Sequence, residues 1–414
     1  MSVDASLRRR LEEHFSRERC IATFQELLRV PSPQTELLEA EPALRHFIEI
    51  AVEPELRGIL KGAQFRYDVM GNLIVEMGEG TSPSLMLVAH AMNQPPNTMP
   101  DPYGGNIIDG APFGFAGKVV RGRGASEQKG TLAAMLHALR AVIDADAPLR
   151  GRLVFVCCVS GETGKVDAIR NVVETEGVRA DIAVVYGNSL KLQVGNRGRI
   201  DLYVTVYGEA SHSSRPREGC NAITGAAEVL RRLAEEYPKN RSHPALGDAS
   251  LTINGIRSYP GSTHTVQDRC EISLDRRLLP GEDPEAAAAE IDRIVMPIDG
   301  MSDPVSKKPI RVAVTRGAHM YPSLVTSDSP AVRALSKACG VMLGFVPDEY
   351  YAQSAFDQGY LNNVGISTVN FGPGEQLFAH TDNDIASADR VFDAARVFAF
   401  LIADFLAPAS SVSG

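Results

Sequence analysis

The chain has 414 residues, a formal net charge of −9, 44% hydrophobic residues and 22% charged ones. That is a globular composition, long enough for two or three structural units around a large core. Acidic and basic residues are interspersed, with no long basic run and no aromatic–basic alternation, which excludes nucleic acid as a partner.

The opening MSVDASLRRRLEEHF is charged and amphipathic and lacks the apolar region of a secretory signal. Residues 6–30 read as one helix, with apolar positions at Leu11, Phe15, Ile21, Phe24, Leu27 and Leu28, ended by Pro31 and Pro33. A second helix is expected over roughly 40–60. Residues 72–76 and 84–89 read as strands. The second (SLMLVA) is continuously apolar, as in the buried middle of a parallel sheet, and His90 follows it. Residues 91–125 form a long Pro/Gly-rich connection, and such loops are uncommon unless functional. Then come a helix at 130–143, a buried strand at 152–159 followed by SGETG, a helix at 166–176 and a strand at 182–186. This alternation predicts an α/β sheet covered by helices, with chemistry at the carboxyl ends of its strands.

From residue 199 the pattern changes. Residues 201–207 (DLYVTVY) alternate by two, as a half-exposed strand does. A helix at 221–236, strands at 250–256 and 265–278, a helix at 284–295 and a strand at 310–315 complete an α+β unit. The α/β character then returns with a helix at 329–343, a strand at 367–371 and a helix at 387–406. The expected fold class is α/β: a catalytic domain with a mostly parallel sheet covered by helices, interrupted by an inserted α+β domain. The expected boundaries are 1–198, 199–316 and 317–414. No apolar run reaches the length of a membrane span, so no membrane partner is expected. Cys20, Cys157, Cys158, Cys220, Cys270 and Cys339 are scattered and read as buried reduced thiols, which points to the cytoplasm.

Four segments place a His or a carboxylate in a polar loop beside an apolar element: LVAHAM ending at Met92, GRGASEQKG at 122–130, VSGETG at 159–164, and FAHTDND at 378–384. Imidazole and carboxylate oxygens suit Zn, Mn and similar ions. Alone, each signal is weak: a single His at a strand end is more often structural, and a single loop Glu is more often solvated. A nucleophilic Ser or Cys is disfavoured. There is no G-x-S-x-G elbow, and Cys157 and Cys158 lie within an apolar strand.

Together the segments resemble the metallopeptidase superfamily of aminoacylases, carboxypeptidase G and succinyl-diaminopimelate desuccinylase, over nearly the whole chain. The family's H-x-D is here His90-Ala91-Met92, its GRGASD-x-KG is GRGASEQKG, and its D-E-E-x-G is Ser160-Gly161-Glu162-Thr163-Gly164. Its G-x-x-x-H-S matches 208–213, its D-x-R-x-x-P-G matches Asp275, Arg277, Pro280 and Gly281, and its A-H-T-x-x-E matches Ala379, His380, Thr381 and Asp384. The resemblance implies a lid and dimerisation role for the inserted domain, hence a homodimer or higher homo-oligomer. It implies a divalent metal held by His90, Glu127, Glu162 and His380.

The departures carry information. Family members bind two ions bridged by the Asp of GRGASD, where Glu127 stands here. Met92 replaces the Asp that orients the first histidine, so its support is expected to be absent. Gly187 stands where a later acidic ligand belongs. Two registers are open at the third motif: Gly161 replaces the general base and Glu162 is the ligand, or Glu162 is the base and Thr163 the lost ligand. The expectation is one ion, Mn or Zn, with metal-bound hydroxide as nucleophile. Without the usual base, a peptide nitrogen lacks its proton donor, help typically worth ~10²–10⁴ in rate. A non-peptide C–N bond in a small carboxylate-bearing substrate needs less, and an electron-poor aromatic amine such as 5-nitroanthranilate is the sharpest expectation. A conventional N-acyl amidohydrolase or peptidase and an inactive ligand-binding homologue are the alternatives. His212 matches the family histidine that reaches the substrate or its oxyanion. His264, Arg277, Tyr186 and Arg215 are further substrate-binding candidates.

Overall fold

The computed structural model describes residues 3–34, 42–78, 80–237 and 241–407. It divides into two compact units. One comprises residues 1–195, 324–351 and 360–414, the other residues 196–323 and 352–359.

In the first unit the main sheet is parallel at its centre, where Arg152–Cys158, Ser84–His90, Ile182–Val185 and Ser367–Asn370 lie side by side. All seven residues of Ser84–His90 are buried, which is why the strand is apolar without alternation. Towards its edges the sheet turns antiparallel, through Leu73–Met77 and Gln64–Tyr67 on one side and Leu192–Asn196 on the other. Helices Arg17–Arg29, Gly130–Asp144 and Ala388–Phe405 pack together, and Phe398 of the last meets Phe371 edge-on at 5.6 Å, just past strand Ser367–Asn370.

Three local expectations change. The helix expected over 6–30 is two, Val3–Glu12 and Arg17–Arg29, because Ser16 caps the second by accepting from Arg19 N at 3.2 Å. The expected helices at 40–60 and 166–176 each contain a π-helical segment, Ile48–Val52 and Asn171–Thr175, and of the first only the part from Pro42 onward is described. The connection 91–125 is structured. Asn106–Asp109 and Lys118–Arg121 pair with each other and with Ile385–Ser387 in a separate three-stranded sheet. The third strand comes from the far end of the chain, so no local pattern announces the sheet.

The second unit is a four-stranded antiparallel sheet, in the order Ser250–Tyr259, Arg269–Leu278, Gly198–Tyr207 and Arg311–Met320. Ile200, Leu202, Val204 and Val206 alternate inward and form a core with Val229 and Leu233 of helix Ala222–Glu236 and Ile291 of helix Pro284–Val295. Asn221 and Asp283 cap the two helices. The six cysteines are all buried and free. Among the described residues no helix is long and apolar enough to cross a membrane.

His137 lies between Phe15 and Phe392, and its Nε2 accepts from Ser16 N at 3.3 Å. Burial holds its pKa down at about 4. The unfolded chain binds that proton near pH 6.5 and the folded chain does not. The associated stability is therefore complete above pH 6.5 and is lost as pH falls towards 4, by on the order of 3 kcal/mol at the lower limit. We expect the melting temperature of His137→Phe to start lower at neutral pH, because Ser16 N loses its partner. Between pH 6.5 and 4 it should fall less than that of the wild type. Parallel profiles would refute this assignment.

Candidate metal centre

Four sequence motifs of the first unit supply one constellation. His90 ends a fully buried strand, and its Nδ1 lies 2.9 Å from the carbonyl oxygen of Met92. A carbonyl only accepts, so Nδ1 carries the hydrogen and Nε2 presents a lone pair. Burial lowers the His90 pKa and keeps the ring neutral. The support expected to be lost with the Asp at 92 is thus present in another form: the backbone of Met92 replaces the carboxylate. The same carbonyl accepts from Gln128 Nε2. Tyr186 meets the His90 ring edge-on at 4.7 Å and completes its enclosure.

His90 Nε2 is buried, has no hydrogen-bond partner and lies 3.8 Å from Glu162 Oε1. A lone pair facing a carboxylate oxygen is unfavourable unless a cation lies between them. Two ligand atoms about 2.0–2.2 Å from a shared tetrahedral ion stand roughly 3.3–3.6 Å apart, close to that gap. The orphaned nitrogen therefore fits a metal. The other candidate ligand atoms lie close to one another. His380 Nε2 lies 2.9 Å from Glu127 Oε1 and 3.5 Å from Glu162 Oε2. Ligand atoms of Glu127, Glu162 and His380 all fall within 4.8 Å of one another, a set that can hold an ion.

Backbone geometry aims these groups. Glu127 sits in a π-helical turn, Ala125–Lys129, entered through Gly124 at φ +89°. His380 itself takes φ +64°, uncommon for a residue with a side chain and held here by the surrounding turn. Gln94 Nε2 donates to Glu162 Oε2 at 3.1 Å. Burial alone would raise the pKa of Glu162, but the hydrogen bond from His380 and neighbouring positive charge hold it below the usual carboxylate range. Glu127 is raised, by burial first and then by the negative charge of Glu162. His380 is pushed up to about 10 by its hydrogen bonds to Glu127 and Glu162. Two carboxylates this close repel unless positive charge sits with them, and a divalent ion or imidazolium supplies it.

Asp384 binds the loops together. Its Oδ1 accepts from Ser126 N at 2.8 Å and Ser126 Oγ at 2.7 Å, and its Oδ2 accepts from Gly124 N at 2.7 Å and Arg123 Nη1 at 3.2 Å. The positions where the sequence lacks acids are tightly packed. A Cβ at Gly161 would stand 2.3 Å from the His90 ring, and one at Gly187 would stand 2.6 Å from Phe371 N.

Of the remaining sequence candidates, Tyr186 joins the constellation through His90, and the others belong to the second unit. There His212 and Thr265 form an isolated bridge, Ser213 N donates to His264 O at 3.0 Å, and Arg215 N donates to His212 O at 2.8 Å. His212, His264 and Arg215 therefore share one small rim. Arg277 is placed elsewhere, on strand Arg269–Leu278, paired with Asp275 at 2.9 Å. Sequence reasoning missed Gln94 and Gln128. Neither residue type suggests a ligand, but both flank motif residues.

A family model described as the peptidase dimerisation domain matches residues 194–300. The chain is 28% identical to the YgeY protein of Escherichia coli, over 82% of this chain and 85% of the relative. It is 26% identical to the N-formyl-4-amino-5-aminomethyl-2-methylpyrimidine deformylase of Bacillus subtilis, over 69% and 70%. It superposes on the aminopeptidase PepT of Bacillus cereus with a TM-score of 0.71 at 19% identity, covering 95% of this chain and 99% of that one. The chain thus shares the fold of that aminopeptidase, and its donor set can hold a metal ion. The chain is also similar to the succinyl-diaminopimelate desuccinylase of Xanthomonas euvesicatoria, 24% identical over 82% of this chain and 89% of that relative.

In Asp384→Asn one carboxylate oxygen becomes an amide that faces donors, and the fully buried Arg123 loses its charge partner. We expect a loss of about 3 kcal/mol in chemical denaturation, with weaker metal retention in dialysis. Wild-type stability and metal content in this variant would contradict the assigned role.

Proposed function

We propose that the protein hydrolyses a non-peptide C–N bond in a small carboxylate-bearing molecule, using one divalent ion, Mn or Zn. The observation that carries the reading is the composition of the constellation. Glu127, Glu162 and His380 are the one such group of potential ligands among the described residues, and His90 adds its unpartnered Nε2. When bound, the ion supplies Lewis acidity and makes water a competent nucleophile near neutral pH.

The protein's own groups then have limited tasks. Gln94 donates to Glu162 and orients its carboxylate, in keeping with the ligand role for Glu162. The Met92 carbonyl fixes the His90 tautomer so that Nε2 faces Glu162. Position 161 carries no acid, and the His90 ring occupies the space a side chain there would enter. A leaving nitrogen therefore has no dedicated proton donor in this set. A substrate with an activated carbon meets that limit best, and an electron-poor aromatic amine such as 5-nitroanthranilate is such a substrate. Water replaces the amino group, which departs as ammonia. His212, Arg215 and His264, on one rim of the second unit, and Arg277 are the proposed substrate-binding residues of that unit. The match of residues 194–300 to a dimerisation domain supports a homodimer. A second reading, hydrolysis of a simple N-acyl group, is favoured by the deformylase among the relatives.

The test is release of ammonia from 5-nitroanthranilate by Mn- or Zn-loaded protein, beside release of formate or succinate from N-formyl and N-succinyl amines. Ammonia release with one ion per chain by elemental analysis is expected. Acyl hydrolysis without ammonia would establish the second reading, and two ions per chain would refute the single-ion centre. His380→Ala should lose at least 100-fold in turnover under either reading and bind metal more weakly.

A further inference from the structure

The loop between strands Asn106–Asp109 and Lys118–Arg121 is a tight knot. Gly110 O accepts from Phe113 N at 2.9 Å and from Phe115 N at 3.0 Å, while Gly110 N donates to Gly117 O at 3.0 Å. The knot fixes two rings that meet a third. Phe378 lies 5.8 Å from Phe113, edge-on at 87°, and 6.1 Å from Phe115.

These rings are fastened to the metal centre by named contacts. The Arg390 guanidinium lies 5.3 Å above the Phe115 ring and pairs with Glu375. Glu375 N donates to Ser126 O at 2.8 Å, and Ser126 precedes the ligand Glu127. Phe378 stands two residues before the ligand His380, and its carbonyl accepts from Thr381 N at 3.3 Å and Thr381 Oγ1 at 2.9 Å. The aromatic trio and two ligand-bearing loops are thus one connected construction. In the turn that leads to His380, next to Phe378, Leu377 is 82% exposed.

A single exposed leucine needs no explanation. One in the turn that delivers a metal ligand, with three clustered rings beside it, supplies the apolar half that the polar ligand set lacks. Small-molecule sites combine a few placed polar groups with a mostly apolar lining. We propose that Leu377, with Phe113, Phe115 and Phe378, forms the wall against which a flat aromatic ring of the substrate rests while its polar substituents reach the ion. This rests on the reading of Glu127, Glu162 and His380 as the metal site. It adds that Leu377 and Phe113 determine the preference for an aromatic ring.

Anthranilate and β-alanine share the same spacing of amine and carboxylate, and only the first has a ring. Calorimetric titration of the full-length Mn-loaded protein with each should show anthranilate bound at least tenfold tighter. Leu377→Ser should narrow that gap to roughly fivefold, and Leu377→Ser combined with Phe113→Ser should reduce it to about twofold, as expected when part of a leucine and a ring are no longer covered. Leu377→Ser alone removes a solvent-exposed side chain, so its effect does not depend on refolding. Equal affinity of the wild type for the two probes, including no binding of either, overturns the proposal. So does a gap that both variants leave intact. A variant that changes only the oligomeric state in sedimentation, with the gap preserved, assigns the patch to contact between copies and also overturns it. Ring preference without ammonia release leaves this inference standing and removes the aromatic-amine reaction.

Discussion

The carboxylate of Asp384 is the constraint on which the rest of the site depends. It accepts from Gly124 N, from Ser126 N and Oγ, and from Arg123, groups about 260 positions earlier in the chain. Four donors, one of them the Arg123 guanidinium, satisfy one buried carboxylate and fix two loops against each other. One loop ends in Glu127, and the other contains His380. Their 2.9 Å approach follows from this tie, which holds the loop of His380 against the π-helical turn that carries Glu127. The nearby sheet, in which Ile385–Ser387 pairs with Lys118–Arg121, extends the tie on each side. Gly124 at φ +89° allows the chain to turn where its amide meets Asp384.

The units legible from sequence are those whose evidence is local. The alternation in 201–207 gives an inward row of Ile200, Leu202, Val204 and Val206, and the unbroken apolar run before His90 gives a buried parallel strand. The four ligand candidates were legible because their motifs are short and ordered along the chain. What escaped depends on the backbone or on distant partners. The helix break at residues 13–16 rests on one serine cap and on His137, 121 positions away. The π-helical turn that carries Glu127 alters the direction of its side chain without altering any periodic pattern. The support of His90 comes from a carbonyl oxygen, which every residue at position 92 would possess, so the identity of Met92 carried no signal.

Two glutamines occupy places of influence. Gln94 donates to Glu162, and Gln128 donates to the carbonyl that holds His90. An amide group in such a place fixes orientation without adding charge or taking a proton. The close fit of Gly161 against His90 and of Gly187 against the backbone at Phe371 works the same way, by leaving no room for an extra acid without a shift. Substitution, packing and hydrogen bonding therefore agree on a centre with few negative charges.

That agreement bears on reactivity. A histidine whose Nδ1 hydrogen faces a neutral carbonyl is a weaker electron donor than one facing a carboxylate. With a neutral acceptor behind His90 and only Glu127 and Glu162 as anions, a divalent ion here would keep more of its positive charge than one ringed by three or four acids. A more electrophilic ion polarises substrate and water more strongly. The same set is poor at delivering a proton to a departing amine. Stronger electrophilic activation and weaker proton delivery both favour a substrate whose difficulty lies in attack on carbon rather than in expulsion of nitrogen. An electron-poor aromatic carbon bearing an amino group has that balance, and the ring cluster fastened to the His380 turn offers such a molecule an apolar face.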